Sequence, residues 1–516
     1  MHRIIAFILA GALLCSCGGR RDVYDGDLVT IGPFPINGAL CFINRSLADL
    51  VCLRVTPDSV LTDRAYLRPG PRKIIEVSQK SQLAVLHDDE QQPGVALLGA
   101  TGLREMGWIP LGEQFDQLAL APSTRYAIAH FSPTAGQSSG GIRNLNQVQV
   151  VDFQSGTSHL PLALQTGGLS PLGVDFLPEG SGRFDNVAVI RVDNGLVILD
   201  MEDPGAEPLW VRFTNTPGGL AQPAEVVFGP FFGDGGYIFV RLEGGSDVLS
   251  IRLTRAESGK LRRSINFLNV PASSHPSDLL VLRGAGFEDK VFVVYGTSNG
   301  GAAILDANAI QTDEMAFDFE IPVNAARRLL GPDGIKEFVA VYHTNTTSGK
   351  IYVVDPESGD TETVHLQDSF NQVAGPLDSS FLVAFHPKLG QTSTPGLRVV
   401  RMITLESSGR YSHRIATYSV DKVLQGYTFG TDGISMLGAL STSEITFVLD
   451  LETGEYESMR LDKAPVGVGL VPASNWAFFQ HANPLGSLTF VPTDRFDRDH
   501  AVMLEGFVLE GLLSPR

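Results

Sequence analysis

Five of the 11 histidines in this 516-residue chain recur at one place in the hydropathy pattern, directly after a short run of strand-forming residues. They are Leu86-His87, Ala129-His130, Tyr342-His343, Phe385-His386 and Gln480-His481. Histidine titrates near neutrality and is the commonest metal ligand, so His87, His130, His343, His386 and His481 are candidates for a ligand-binding rim. A metal–nitrogen bond is about 2 Å long, and histidines on separate repeats stand too far apart to share one ion. Only neighbours such as His87 and His130, or His343 and His386, could cooperate. Three readings stay open: histidines that recur because the fold repeats, a rim that binds a ligand, and a metal site.

Other chemistry is sparse. Gly136-Gln137-Ser138-Ser139-Gly140 and Gly296-Thr297-Ser298-Asn299-Gly300 match the G-x-S-x-G pattern of a nucleophilic serine. That turn needs a strand before it and a helix after it, whereas both matches lie in Gly/Ser loops between strand-like runs. No phosphate-binding glycine loop, H-E-x-x-H, C-x-x-C or EF-hand loop occurs. Asp25-Gly26-Asp27, Pro332-Asp333-Gly334 and Thr431-Asp432-Gly433 are too short for a calcium loop and read as turns. No catalytic residue, cofactor or metal is expected.

The elements that would carry the histidines repeat along the chain. A β-run ending in Asp occurs at Val150-Val151-Asp152, Ile198-Leu199-Asp200, Ile304-Leu305-Asp306, Val353-Val354-Asp355 and Val448-Leu449-Asp450. The Asp residues are 48, 106, 49 and 95 residues apart, one or two steps of about 50, the period range of propeller arrays. The skipped steps are filled by Val248–Ile251 and Val399–Ile403, with weaker copies at Val95–Leu98 and Leu488–Val491. Three copies share Asp-x-x-(Ser/Thr)-Gly, as in Asp152–Gly156, Asp355–Gly359 and Asp450–Gly454. Asp bonds turn amides and Gly takes a left-handed residue, so this Asp ladder has a structural reason.

Earlier strand pairs in each unit, such as Leu118–Leu120 with Tyr126–Ala129 and Val226–Phe228 with Tyr237–Val240, bring the count to four strands per unit. That is one blade of an all-β propeller. Nine such units follow residue 74, and an N-terminal hairpin precedes them. Propellers usually have four to eight blades, so the expectation is a single eight-bladed propeller over 36–516, with seven or nine open. Closure is expected to pair N-terminal strands with the last blade. The repeat resembles the YVTN and WD40-like bacterial propellers, whose units run strand, turn, strand, then V-x-V-I-D-x-x-T-G. It lacks the Gly-His and Trp-Asp marks of true WD40 repeats. With only Trp108, Trp210 and Trp476, it also lacks the tryptophan docking of quinone-dependent propellers.

The N-terminus reads as an address. Met1-His2-Arg3 precedes an apolar run from Ile4 to Leu14, the build of an export signal, and too short for a spanning helix of roughly 20 residues. Leu14-Cys15-Ser16-Cys17 resembles the lipobox of bacterial lipoproteins. The resemblance implies a signal peptide over 1–16 and a lipid-modified Cys17 anchored by acyl chains. Cys15 fits less well, since it would put Leu14 at the cleavage position. Gly18 rather than Asp follows, which leans toward the outer membrane, and 17–35 reads as a flexible tether. Export places Cys41 and Cys52 in an oxidising compartment. They form a cross-strand disulfide or remain two buried thiols.

Lys and Arg number 39 against 57 Asp and Glu, a net charge of −18 that excludes a phosphate-backbone binder. A 43% hydrophobic content excludes a disordered chain. The expectation is a monomeric, lipid-anchored module of the cell envelope, binding or scaffolding a protein or glycan partner. The alternative is a propeller hydrolase or lactonase with a metal in the central channel. That needs polar groups on several first strands, and Leu118-Ala119-Leu120, Val226-Val227-Phe228 and Leu279-Leu280-Val281 read as apolar.

Overall fold

The computed structural model describes residues 30–36, 38–56, 59–78, 81–135, 144–164, 170–213, 222–232, 235–271, 274–284, 286–296, 299–308, 315–344, 349–405, 410–483 and 486–507. Cys17, the segment 1–16 and the match Gly136–Gly140 lie outside these residues, as do Thr297 and Ser298 of the second match. Strands dominate, and they fold as antiparallel meanders in which each strand pairs with the next. Ten sheets result, here called blades 1 to 10: 30–66, 71–110, 117–163, 173–212, 223–269, 275–318, 325–365, 372–419, 424–460 and 465–505. Nine have four strands. Blade 3 has five, because the short strands Thr157–Ser158 and Leu162–Ala163 both pair with Gln147–Asp152.

The expectation of eight blades is thereby corrected to ten. The N-terminal hairpin, Ala39–Asn44 with Asp49–Val55, gains Thr30–Ile36 on one side and Val60–Tyr66 on the other. It becomes a blade in its own right and completes no other, since blade 10 has four strands of its own. Thr30–Ile36 also occupies the end of the segment 17–35 expected as tether. The described residues fall into two compact units, those of 30–118, 151–160 and 469–507 in one, and those of 119–150 with 161–468 in the other.

In the first unit, alternation explains the packing, because successive strand side chains point to opposite faces. Leu40, Phe42, Val51 and Leu53 of blade 1 pack on Trp476, Phe478, Leu488 and Phe490 of blade 10. Cys41, Ile43, Leu50 and Cys52 turn the other way, onto Ile74, Leu83 and Val85 of blade 2. Contact between the first and last blades is therefore face packing, with no exchanged strand. Cys41 and Cys52 stand opposite each other in register and are joined by a disulfide, with their Cα atoms 4.0 Å apart.

In the second unit, each successive pair of blades from 3 to 9 encloses an apolar cluster supplied by second and third strands. The blade turns follow the Asp pattern. In 450–454, Asp450 Oδ1 accepts the amides of Glu452 and Thr453 at 2.7 and 2.8 Å, and Gly454 sits at φ +80°. Asp152 and Asp355 do the same in their turns.

Candidate functional site

The structure places each of the five histidines at or directly after the end of a second strand. His87 and His386 are buried, and in each the Nδ1 pairs at 3.0 Å with a carbonyl of the loop that leads into the same blade, Pro69 or Ser369. Burial holds both imidazoles below their usual titration range. Each ring also meets an aromatic, Trp108 at 5.4 Å and Phe370 at 6.2 Å. His130 pairs with the carbonyl of Phe131 at 3.0 Å, and His481 with the hydroxyl of Thr489 at 2.8 Å. His343 is half-buried. In this geometry His87 and His386 fasten the entry loops of their blades. Among the described residues, no group of three or more His, Cys, Asp and Glu side chains could hold a metal ion.

The polar chemistry lies instead on the first strands of the second unit. The reading of these strands as apolar is corrected: the apolar runs at 226–228 and 279–281 are each preceded, within the same strand, by an acid. Glu225 belongs to Pro223–Phe232 and Asp278 to His275–Val281. Both follow a proline by two residues, and in both strands the register shifts between the proline and the acid. A bulge of this kind re-aims a side chain. The first strands of blades 5, 6 and 7 approach one another in turn, and Glu225 and Asp278 come within hydrogen-bond contact.

Each member of the pair is held in place. Arg241 Nε, on the second strand of blade 5, donates to Glu225 Oε2 at 3.0 Å. The amide of Ala326, on the first strand of blade 7, donates to Asp278 Oδ2 at 2.6 Å. Glu225 is only 24% exposed. Burial, and then the negative charge of Asp278, push its carboxyl up to about 7 against the pull of Arg241. Burial also raises Asp278, opposed chiefly by the Ala326 amide. Two carboxyls this close resist double ionisation. Below about pH 7 the pair keeps a proton, with Glu225 as donor and Asp278 as acceptor.

The row continues to either side. Asp175 of blade 4 pairs with Arg191 at 2.8 Å, and the absence of a side chain at Gly173 lets the guanidinium lie across the strand. Arg327 of blade 7 donates to the carbonyl of Gly375 in blade 8. Gln372 of blade 8 donates to the hydroxyl of Tyr427 in blade 9 at 2.9 Å. Burial raises the Tyr342 phenol, and the charges of Arg327 and Asp278 both act on it. Acid pair, guanidinium, amide and phenol thus line successive first strands, a set able to hydrogen-bond a polar ligand and to exchange one proton near neutrality. A signal for it was present in the chain: Asp175, Glu225, Asp278 and Arg327 are 50, 53 and 49 residues apart, the blade period again.

Ten meandering blades and a polar first-strand face define an all-β propeller-type protein. No family model matches the chain, and no curated protein matches it. Among solved structures, it is similar to the dihydro-heme d1 dehydrogenase NirN, at 15% identity and a TM-score of 0.41, covering 80% of this chain and 78% of that one. It is similar to the Dos1 propeller at 13% identity and a TM-score of 0.42, covering 72% and 89%. It is similar also to AztD from Citrobacter koseri at 15% identity and a TM-score of 0.32, covering 64% and 84%. Likenesses of this order transfer no activity.

Proposed function

We propose that the chain is a lipid-anchored binding module of the bacterial cell envelope, and that it takes a protein or glycan partner on the first-strand face of blades 4 to 9. The observation that carries the binding reading is the Glu225–Asp278 pair with its flanking Arg241 and Arg327. Glu225, Asp278 and Arg327 recur at the blade period on first strands that a rigid frame holds in fixed relation, and Arg241 fastens Glu225 from the second strand of blade 5. A face of alternating charge with one retained proton suits hydroxyl, amide and ammonium groups better than a polyanion. The lipobox-like run ending at Cys17 supports the anchor, and an anchored module needs a partner at the membrane rather than a free substrate.

The test compares partner capture from envelope extract by the wild-type chain, by Glu225→Gln with Asp278→Asn, and by Arg327→Ala. A partner retained by the wild type and lost by both variants, each melting as a folded protein, is expected. Equal capture by all three would overturn the first-strand assignment. Metabolic labelling with an acyl-chain analogue tests the anchor separately: Cys17→Ala should lose the label, and retention would move the modification elsewhere.

A further inference from the structure

Away from the first strands, the first unit holds a small cavity of about 190 Å³ at one end of blades 1 and 10. Its walls come from Thr30 and Gly32, from Phe42, from Gln480, His481, Asn483, Ser487 and Leu488, and from Phe507 just past the last strand. We infer that this cavity is a binding site for one neutral, polyhydroxylated six-membered ring, either a free monosaccharide or the end unit of a glycan.

Among the described residues, the cavity is lined by no ionisable carboxylate, ammonium or guanidinium side chain. That sets it apart from two other open clefts, of about 760 and 380 Å³. The first is walled in part by Asp494, Arg495 and Asp499, and the second by Asp200, Arg255 and Lys260. What it offers is two hydroxyls, two amides, an imidazole and two phenyl rings. Ser487 is 2% exposed, and its hydroxyl oxygen finds no hydrogen-bond partner among the described residues. A buried hydroxyl left unsatisfied costs about 1–3 kcal/mol, and a ligand hydroxyl in the cavity would remove that cost. His481, 3% exposed, is fixed by its 2.8 Å contact with Thr489, two residues along the same strand as Ser487 and therefore on the same face.

The apolar side is equally constructed. Phe42 and Phe507 are buried with centroids 5.0 Å apart, tilted by 56°. Glycines bring the backbone against both rings. A Cβ on Gly32 would lie 3.1 Å from Phe42, and one on Gly486 would lie 2.5 Å from Phe507, and both residues have left-handed φ, +135° and +86°. Hydrogen-bonding groups on one side and aromatic carbon on the other match a pyranose, which presents hydroxyls at its edge and C–H groups on its face. Drug-sized pockets run to about 300–1,000 Å³, so the smaller volume fits a single ring and not a chain threading through it.

Saturation-transfer NMR on the purified full-length chain tests the assignment, with neutral methyl pyranosides of glucose, galactose and N-acetylglucosamine, their trisaccharides, and glucuronate as a charged control. One or more neutral pyranosides should bind with a Kd of about 1 mM, and glucuronate should not. Ser487→Val should weaken binding about tenfold or more, and Asn483→Ala, at a half-buried position outside the strands, gives a second variant should the valine disturb folding. Equal affinity for the methyl glycoside and its trisaccharide assigns the site to a single unit, free or terminal, whereas tighter trisaccharide binding assigns it to a glycan end. No binding of any neutral pyranoside at about ten times that concentration, or unchanged binding in both variants, would overturn the proposal. Since the first-strand variants leave this cavity intact, its failure and the failure of the first-strand reading are separately visible.

Discussion

Glu225→Gln is expected to remove a pH-dependent weakness from the second unit. Glutamine keeps the size of the side chain and its donor toward Asp278, and it can never ionise. In the wild type the carboxyl titrates near 7 when folded, against an ordinary value of 4.5. The folded state therefore binds more protons than the unfolded chain between these values. The associated stability is fully present below about pH 4.5 and is lost as pH rises through about 7. Each factor of ten in proton affinity is worth about 1.4 kcal/mol, so the loss has an upper limit of about 3 kcal/mol. Residual solvent contact reduces it. At about 2 °C per kcal/mol for a large unit, the variant should melt roughly 5 °C above the wild type at alkaline pH and together with it at acid pH. Calorimetric melts in pH steps read this directly. Infrared difference spectra should show a protonated carboxyl band in the wild type near neutrality that the variant lacks. A melting difference that stays constant from acid to alkaline pH, with no such band, would refute the shared-proton geometry.

Replacing Cys41 and Cys52 together by serine should destabilise the first unit by about 3 kcal/mol, since the bridge closes a short loop across a buried hairpin; a thiol reductant should lower the wild-type melting transition similarly and leave the variant unmoved. Arg328 is 15% exposed and donates to Glu337 and to the carbonyl of Val281, and Glu337 in turn accepts the amide of Arg283 at 2.7 Å. Arg328→Met should therefore cost about 3 kcal/mol by stranding that carboxylate, and adding Glu337→Gln should recover much of it in a double-mutant cycle.

The blade period was legible because third strands are buried on both faces and end in a turn that needs Asp and Gly. Every third strand expected from the β-run pattern, from Val95–Leu98 to Leu488–Val491, is a third strand in the fold. The residue pattern itself also counts correctly: nine units and a hairpin make ten blades. The expectation of eight came from the usual size of propellers, a general tendency that this chain does not follow. The flanking strands of blade 1 were harder to read. Thr30–Ile36 contains two prolines and a register shift, and Val60–Tyr66 is largely open to solvent, so neither shows the apolar run of a buried strand.

First strands hide their polar groups for a related reason. A reading by strict alternation assumes that neighbouring positions keep their faces, and a bulge breaks that assumption at the point where the acid stands. Pro223-Ala224-Glu225 and Pro276-Ser277-Asp278 look like the ragged ends of apolar strands, yet the shift carries the third residue of each to the polar contact. The same device recurs in the first unit with the opposite charge. In Pro71-Arg72-Lys73 the register again shifts after the proline, and burial lowers the Lys73 ammonium, which Asp116 counteracts and whose Nζ lies 3.4 Å from Gln117. Proline cannot donate to the ladder, so its position at the start of a first strand frees the chain to bulge there, and the residue two places on becomes the variable polar position of the blade. What the repeat conserves at this phase is therefore a placement rather than a residue type. That is why lysine, glutamate and aspartate can occupy it in different blades, and why a search for one catalytic residue type passes over it.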